Sequence, residues 1–173
     1  MTTQQTINET RQVFADIQAF IAKHGDIEML QAPSGKWNSA QQVDHLAVSQ
    51  KMTNVAYKVP GLVLGLVYGK SKNGSRSYEE IVAEYQRHLS NGAKCVKEYL
   101  PKLALPLDKQ KLATTYISYG DDYLATIETK SEKDFDTLRV KHPILGKLTL
   151  RELAHFTLYH NRHHLKSMQG LVQ

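Results

Sequence analysis

The chain lacks most of the features that would place it in a specialised class. It has one cysteine, Cys95, and a single thiol cannot close an intramolecular disulfide, so the fold does not depend on an oxidising compartment. Its most apolar stretch, Val59 to Tyr68, runs for about ten residues, whereas a membrane span needs roughly twenty. No membrane partner is expected. The first segment, Met1 to Ala22, is polar and amphipathic and has no apolar signal-peptide core, which makes the cytoplasm the expected location. No stretch alternates apolar and polar residues in the manner of a strand, and no internal repeat is present. The formal charge is +5, but a nucleic-acid footprint needs basic residues clustered on one face or in one run. Here Lys and Arg are scattered from Arg11 to Lys166, and the densest stretch (Lys70, Lys72, Arg76) is short. No nucleic-acid partner is expected, and the charge favours solubility and acidic small molecules.

What is present suits one helical domain over residues 1–173, with 41% hydrophobic and 23% charged residues and enough length to bury a core unaided. Ile7, Phe14, Ile17 and Ile21 recur at spacings of three, four and seven, which predicts an amphipathic helix over Thr6–Lys23. The stretch from Asp26 to Lys36, with Pro33 and Gly35, reads as a loop. Ser39 and Gln42 fit a capping box at the head of a second helix, from about Ala40 to Lys58. The following 59–77 segment contains Gly61, Gly65, Gly69 and Gly74 and reads as a long, partly apolar loop able to cover a pocket. A short helix fits Tyr78 to Leu89. Another, capped by Asp108, fits Lys109 to Thr129, with Leu112, Tyr116, Tyr119, Tyr123 and Ile127 on one side. That tyrosine stripe reads as core, and Gly120 within it costs roughly 1 kcal/mol relative to Ala. A Pro/Gly loop over 142–148 leads to Thr149 and Glu152, a second capping box, and a last helix to about Gln169. The expected fold class is all-α, a four-helix bundle with one shorter extra helix.

Eight histidines are present, and their helical positions separate them. On the last helix Leu150, Leu153, Thr157, Met168 and Leu171 define one apolar stripe. His160 and His164 lie in its middle, one turn apart, so two imidazoles stand about 5 to 6 Å from each other. His155 and His163 point away from the stripe. Two polar rings in an apolar stripe need something to pair them. On the second helix Asp44, Lys51, Asn54 and Lys58 mark the polar face, and His45 lies opposite, beside Ser49, Met52, Ala56, Gln42 and Thr53. The three histidines His45, His160 and His164 are therefore the expected ligands of one divalent metal ion, with a position left open for water or substrate, as in catalytic sites. Three imidazoles suit zinc, nickel, iron or copper; zinc or nickel is the first expectation and iron the next. Residues 161 to 163 are Asn, Arg and His, so there is no zincin motif. Glu152 and His155 match half of a di-iron motif, but its second copy is missing and both residues are expected to face outward. Cys95 has no histidine at a fixed spacing and does not read as a nucleophile.

Trp37-Asn38-Ser39 leading to Gln42 and His45-Leu46, the run His-Pro-x-Leu-Gly-x-Leu-Thr-x-Arg-Glu over 142–152, and the closing His160-Asn161-Arg162-His163-His164-Leu165 occur in this order. Together they resemble the DinB-like superfamily of bacterial metal-binding four-helix bundles over nearly the whole chain. The resemblance implies metal ligands at His45, His160 and His164, the same three residues. Some members are thiol-dependent S-transferases, which implies a small electrophilic substrate and a low-molecular-weight thiol as partners. The tail His163-His164-Leu165-Lys166-Ser167-Met168 departs from the Arg-Gly-Gln ending of many members, so the resemblance leaves the substrate class open. Members often form homodimers, which the sequence neither supports nor contradicts. Two readings follow: a metal-dependent transferase or hydrolase with no further catalytic residue assigned, or a helical bundle that binds metal or a small ligand without turnover.

Overall fold

Most of the longer helices begin where a side chain takes up amides that the first turn leaves unbonded. Thr2, Asn38, Ser77 and Thr149 each accept from the residue three positions on, and Gln5, Gln41, Glu80 and Glu152 return a bond. In a computed structural model, which describes residues 1–172, these caps open α1 (Thr3–Lys23), α3 (Ser39–Lys58), α5 (Tyr78–Ser90) and α8 (Leu150–Gln169). Asp108 alone caps α6 (Lys109–Glu128). The cap of α3 falls one residue before the expected Ser39–Gln42 pair, on Asn38 and Gln41. Helix α3 packs on α6 and α1 on α8, with α1–α6 and α3–α8 contacts closing a four-helix bundle and α5 lying against α8. The expected all-α class and helix order hold. The short helices α2 (Asp26–Leu30) and α7 (Glu132–Thr137) occupy connections.

The tyrosine stripe of α6 forms the core of the bundle. Phe14 meets Tyr116 and Tyr123 edge-on at 5.9 and 6.0 Å, and Tyr57 meets Tyr123 at 5.7 Å. Tyr57 Oη donates to the Leu150 carbonyl at 2.6 Å and Tyr116 Oη to Asn161 Oδ1 at 3.0 Å, so both hydroxyls are satisfied where they are buried. Asn54, expected on the polar face of α3, is buried instead. Its amide donates to the Tyr119 carbonyl and to Asp122 Oδ2, both at 3.0 Å, and ties α3 to α6. Gly120 also has a structural role. A Cβ there would lie 3.0 Å from the buried Phe14 ring, so the missing side chain lets α1 approach α6.

Three connections and two side chains depart from the sequence reading; the expected Asp26–Lys36 loop opens with helix α2. The 59–77 segment is not a continuous loop, because Gly61–Tyr68 forms helix α4. The 142–148 stretch is part of a hairpin, with β1 (Arg139–His142) antiparallel to β2 (Gly146–Thr149) and His142 opposite Gly146. Strands of four residues are too short for alternation to register, and the turn is closed by Gly146 at φ +71° and by His142. The His142 Nδ1 accepts from the Ile144 and Leu145 amides at 3.2 and 3.0 Å. Finally, Glu152 and His155 do not face water. They point away from the bundle axis, but the chain after α4 covers them. Arg76 Nε donates to Glu152 Oε1 at 2.8 Å, and the Tyr78 ring lies 5.9 Å from that of His155. Glu152 serves its own helix cap and Arg76, with nothing left over for a metal.

Two outcomes test this packing. The Gly120→Ala protein should be less stable by about 1 kcal/mol or more in denaturant titration, because the clash with Phe14 outweighs the propensity gained; a more stable variant would disprove the close approach. His155 is buried with neither ring nitrogen partnered among the described residues, and burial, then the charge of Arg151, pushes its pKa down to about 4. Its unfolded value is about 6.5, so between these values the unfolded chain binds the extra proton and stability falls as pH falls. At pH 5 this amounts to about 2 kcal/mol. The melting temperature of His155→Leu should therefore drop less between pH 7 and pH 5 than that of the wild type.

Candidate metal centre

His45 stands in the second turn of α3, and His160 and His164 stand one turn apart on α8. All three are buried. The polar cluster of Gln50, Asn161 and Tyr116, linked at 3.4 and 3.0 Å, joins α3, α8 and α6 and fixes the rotation of both histidine-bearing helices. The structure brings the three sequence-predicted residues together. Nε2 of His160 lies 3.1 Å from Nε2 of His45 and 3.2 Å from Nε2 of His164. One atom from each ring lies within 4.8 Å of the others, the only such group of three or more potential ligands among the described residues.

The outer nitrogens decide what the inner ones present. His45 Nδ1–H donates to the Tyr99 carbonyl at 2.7 Å, and His164 Nδ1–H donates to Gln42 Oε1 at 2.9 Å. Gln42 is itself oriented, since its amide nitrogen donates to the Trp37 carbonyl at 3.2 Å. All three rings are kept neutral: burial lowers the pKa of His45 and pushes those of His160 and His164 well below the ordinary histidine range, with the neighbouring imidazoles adding to the effect on the latter two. Neutral rings protonated at Nδ1 aim Nε2 lone pairs inward. Two such lone pairs face His160 Nε2, and one proton there can serve only one of them. A cation between the rings resolves this conflict. Donors bonded to one ion at 2.0–2.1 Å lie about 3.3 Å apart at tetrahedral corners, close to the observed separations. Outer hydrogen bonds to a carbonyl and an amide are the usual support for metal-bound histidine. The three residues fit a divalent ion.

A cavity of about 340 Å³ adjoins the three rings. Its wall is largely apolar, with Leu153, Phe156, Val96 and Ile144 prominent, and Lys94 and Lys141 are exposed at its edge. No Asp or Glu lines it. His163, expected to point away, is exposed but also borders the cavity. Tyr116, Tyr119 and Tyr123 do not line it, consistent with their reading as core. Sequence reasoning missed several neighbours. The Trp37 ring lies 5.0 Å from His45 and stacks at 6.5 Å on His164, and its place just before the α3 cap was the available signal. His142 and Tyr85 also line the cavity, and no periodicity could reveal that. Burial pushes the His142 pKa down to about 4. Cys95 Sγ lies 3.9 Å from His45 Nδ1, on the side away from the inner nitrogens, and burial raises the pKa of its thiol. That environment suits neither a fourth ligand beside the Nε2 atoms nor an activated thiolate.

The fold and the site define a helical bundle with a buried three-histidine group able to hold a metal ion. The family model of the DinB superfamily matches residues 3–168, nearly the whole chain, and the protein belongs to that superfamily. Comparisons with curated proteins and with solved structures find no match. No helix among the described residues is long and apolar enough to cross a membrane.

The proton arrangement can be checked directly. Imidazole-nitrogen NMR on metal-free protein at neutral pH should show His45 and His164 as neutral Nδ1–H tautomers. A proton on Nε2 of either ring would remove the inward lone pair on which the geometry rests.

Proposed function

We propose that the protein is a metal-dependent enzyme, with His45, His160 and His164 as ligands through Nε2, acting on a small electrophilic substrate of transferase or hydrolase type. The observation that supports it most is the inward aim of the His45 and His164 lone pairs onto His160, beside a cavity large enough for a small molecule. Zinc or nickel suits this ligand set, and iron after them. A bound divalent ion supplies Lewis acidity, which makes a coordinated water or low-molecular-weight thiol a better nucleophile near neutral pH. The chain does the rest. Tyr99 and Gln42 hold the two tautomers, while Leu153, Phe156, Val96 and Ile144 exclude bulk water from an apolar substrate. Lys94 and Lys141 offer positive charge at the edge, and His142, whose Nδ1 is occupied by two amides, keeps its proton at Nε2. The absence of any carboxylate from the cavity wall favours a second reading, a bundle that binds metal or ligand without turnover.

Elemental analysis of untagged protein should find about one divalent ion per chain, lost in His160→Ala. Gln42→Ala, which keeps all three ligands, should weaken zinc or nickel affinity about 10- to 100-fold. Protein that is metal-free and takes up neither ion on titration would end the metal reading. For activity, loaded protein is assayed with monochlorobimane and a panel of thiols including cysteine and glutathione, and separately with p-nitrophenyl acetate. Turnover abolished by His45→Ala supports the enzyme. Metal uptake without turnover favours the second reading, and turnover unchanged in His45→Ala would remove the metal site from the reaction.

A further inference from the structure

Helix α4 presents its apolar side chains to water. Only Leu64 is buried, while Leu62 and Leu66 are 76% and 78% exposed and Val63 and Val67 are 44% and 61% exposed. Positions 62, 63, 66 and 67 share one helix face. The glycines seat the opposite side: a Cβ at Gly61 would lie 3.0 Å from Leu138, and one at Gly65 3.3 Å from Lys70. Four adjacent large apolar side chains standing outward on eight residues are more than the scattered exposure normal for a soluble surface.

The chain stretches that form and flank this helix carry no acidic residue. No Asp or Glu occurs between Asp44 and Glu79, nor between Asp136 and Glu152, and the fold joins these two stretches. Helix α4 packs on β1, Lys147 Nζ donates to the Tyr68 carbonyl at 3.3 Å, and Lys70 bridges to Leu138. Lys70, Lys72, Lys141 and Lys147 are exposed, and none forms an ion pair among the described residues. A twofold contact between copies would press this patch against itself and set unneutralised lysines against lysines. An anionic bilayer surface complements both parts at once: the apolar side chains enter the headgroup–acyl boundary and the lysines meet the headgroups.

We propose that α4 and its lysine rim seat the protein on an anionic lipid surface. Eight residues cannot span a bilayer, which is why the length of the apolar run predicted no membrane partner, but an interfacial helix has no such length requirement. Lys141 belongs to both the rim and the cavity wall, so the cavity adjoins the seat. The proposal does not depend on metal binding.

Co-sedimentation tests it, with vesicles of phosphatidylcholine alone and of phosphatidylcholine mixed with phosphatidylglycerol. Wild-type protein should sediment with the mixed vesicles and not with the neutral ones. Leu62→Ser/Leu66→Ser should lower the partition coefficient about tenfold or more, and Lys72→Ala and Lys147→Ala about fivefold each, with helical circular dichroism unchanged. If the serine variant melts early, the lysine variants carry the test. Failure of the wild type to sediment with anionic vesicles, equal binding to both vesicle types, or a wild-type dimer made monomeric by the serine pair without any lipid binding would each overturn it.

Discussion

The centre depends on where two protons sit. With Nδ1–H of His45 held by the Tyr99 carbonyl and Nδ1–H of His164 held by Gln42, the inner nitrogens of these two rings are both acceptors, and a proton on His160 Nε2 can satisfy only one of them. Burial reinforces this by keeping the rings neutral. A neutral imidazole with its outer nitrogen tied presents a directed lone pair, and three inner nitrogens at a common point form a cluster that a protein core tolerates poorly unless a cation joins it. Most of the surrounding architecture can be understood as holding this arrangement. The Gln50–Asn161–Tyr116 cluster sets the rotation of α3 and α8, and the Asn54 bonds lock α3 on α6.

The cavity beside the rings complements this preorganisation. Its apolar wall and lack of carboxylates mean that little charge stands near the histidines, so the field there would be set by whatever ion they hold. The hairpin contributes from outside the bundle. Its turn is braced by the His142 ring, and its strands supply part of the cavity wall. A β element thus completes a site whose three histidines are all helical, and it also contacts the apolar helix α4.

Much of this was legible in the residues, and the exceptions have identifiable causes. Helical periodicity placed His45, His160 and His164 on buried faces because α3 and α8 are continuous capped helices whose residues recur every 3.6 positions. The same reasoning misjudged Asn54, Glu152 and His155. A helical wheel separates the side toward the bundle axis from the side away from it, and it cannot show that a later segment covers the far side. Arg76 and Tyr78 do so for Glu152 and His155; Asn54 was misjudged because it is polar, although it faces α6 and bonds there to Asp122 and the Tyr119 carbonyl. Gly120 was misread for a related reason: its helix penalty is local, while its role is to admit Phe14 from another helix.

The sequence by itself determined the all-helical class, the order of the long helices, the caps of α6 and α8, and the three inward histidines, because those follow from local hydrogen bonding and from the 3.6-residue repeat. Only the tertiary structure decided that the three rings share one point, which nitrogens carry the protons, what lines the cavity, and that an apolar helix stands exposed with lysines on the neighbouring segments. Those properties arise from contacts between residues far apart in the chain, such as position 42 with 164 or 45 with 99, and no periodicity encodes the distance between two separate helices.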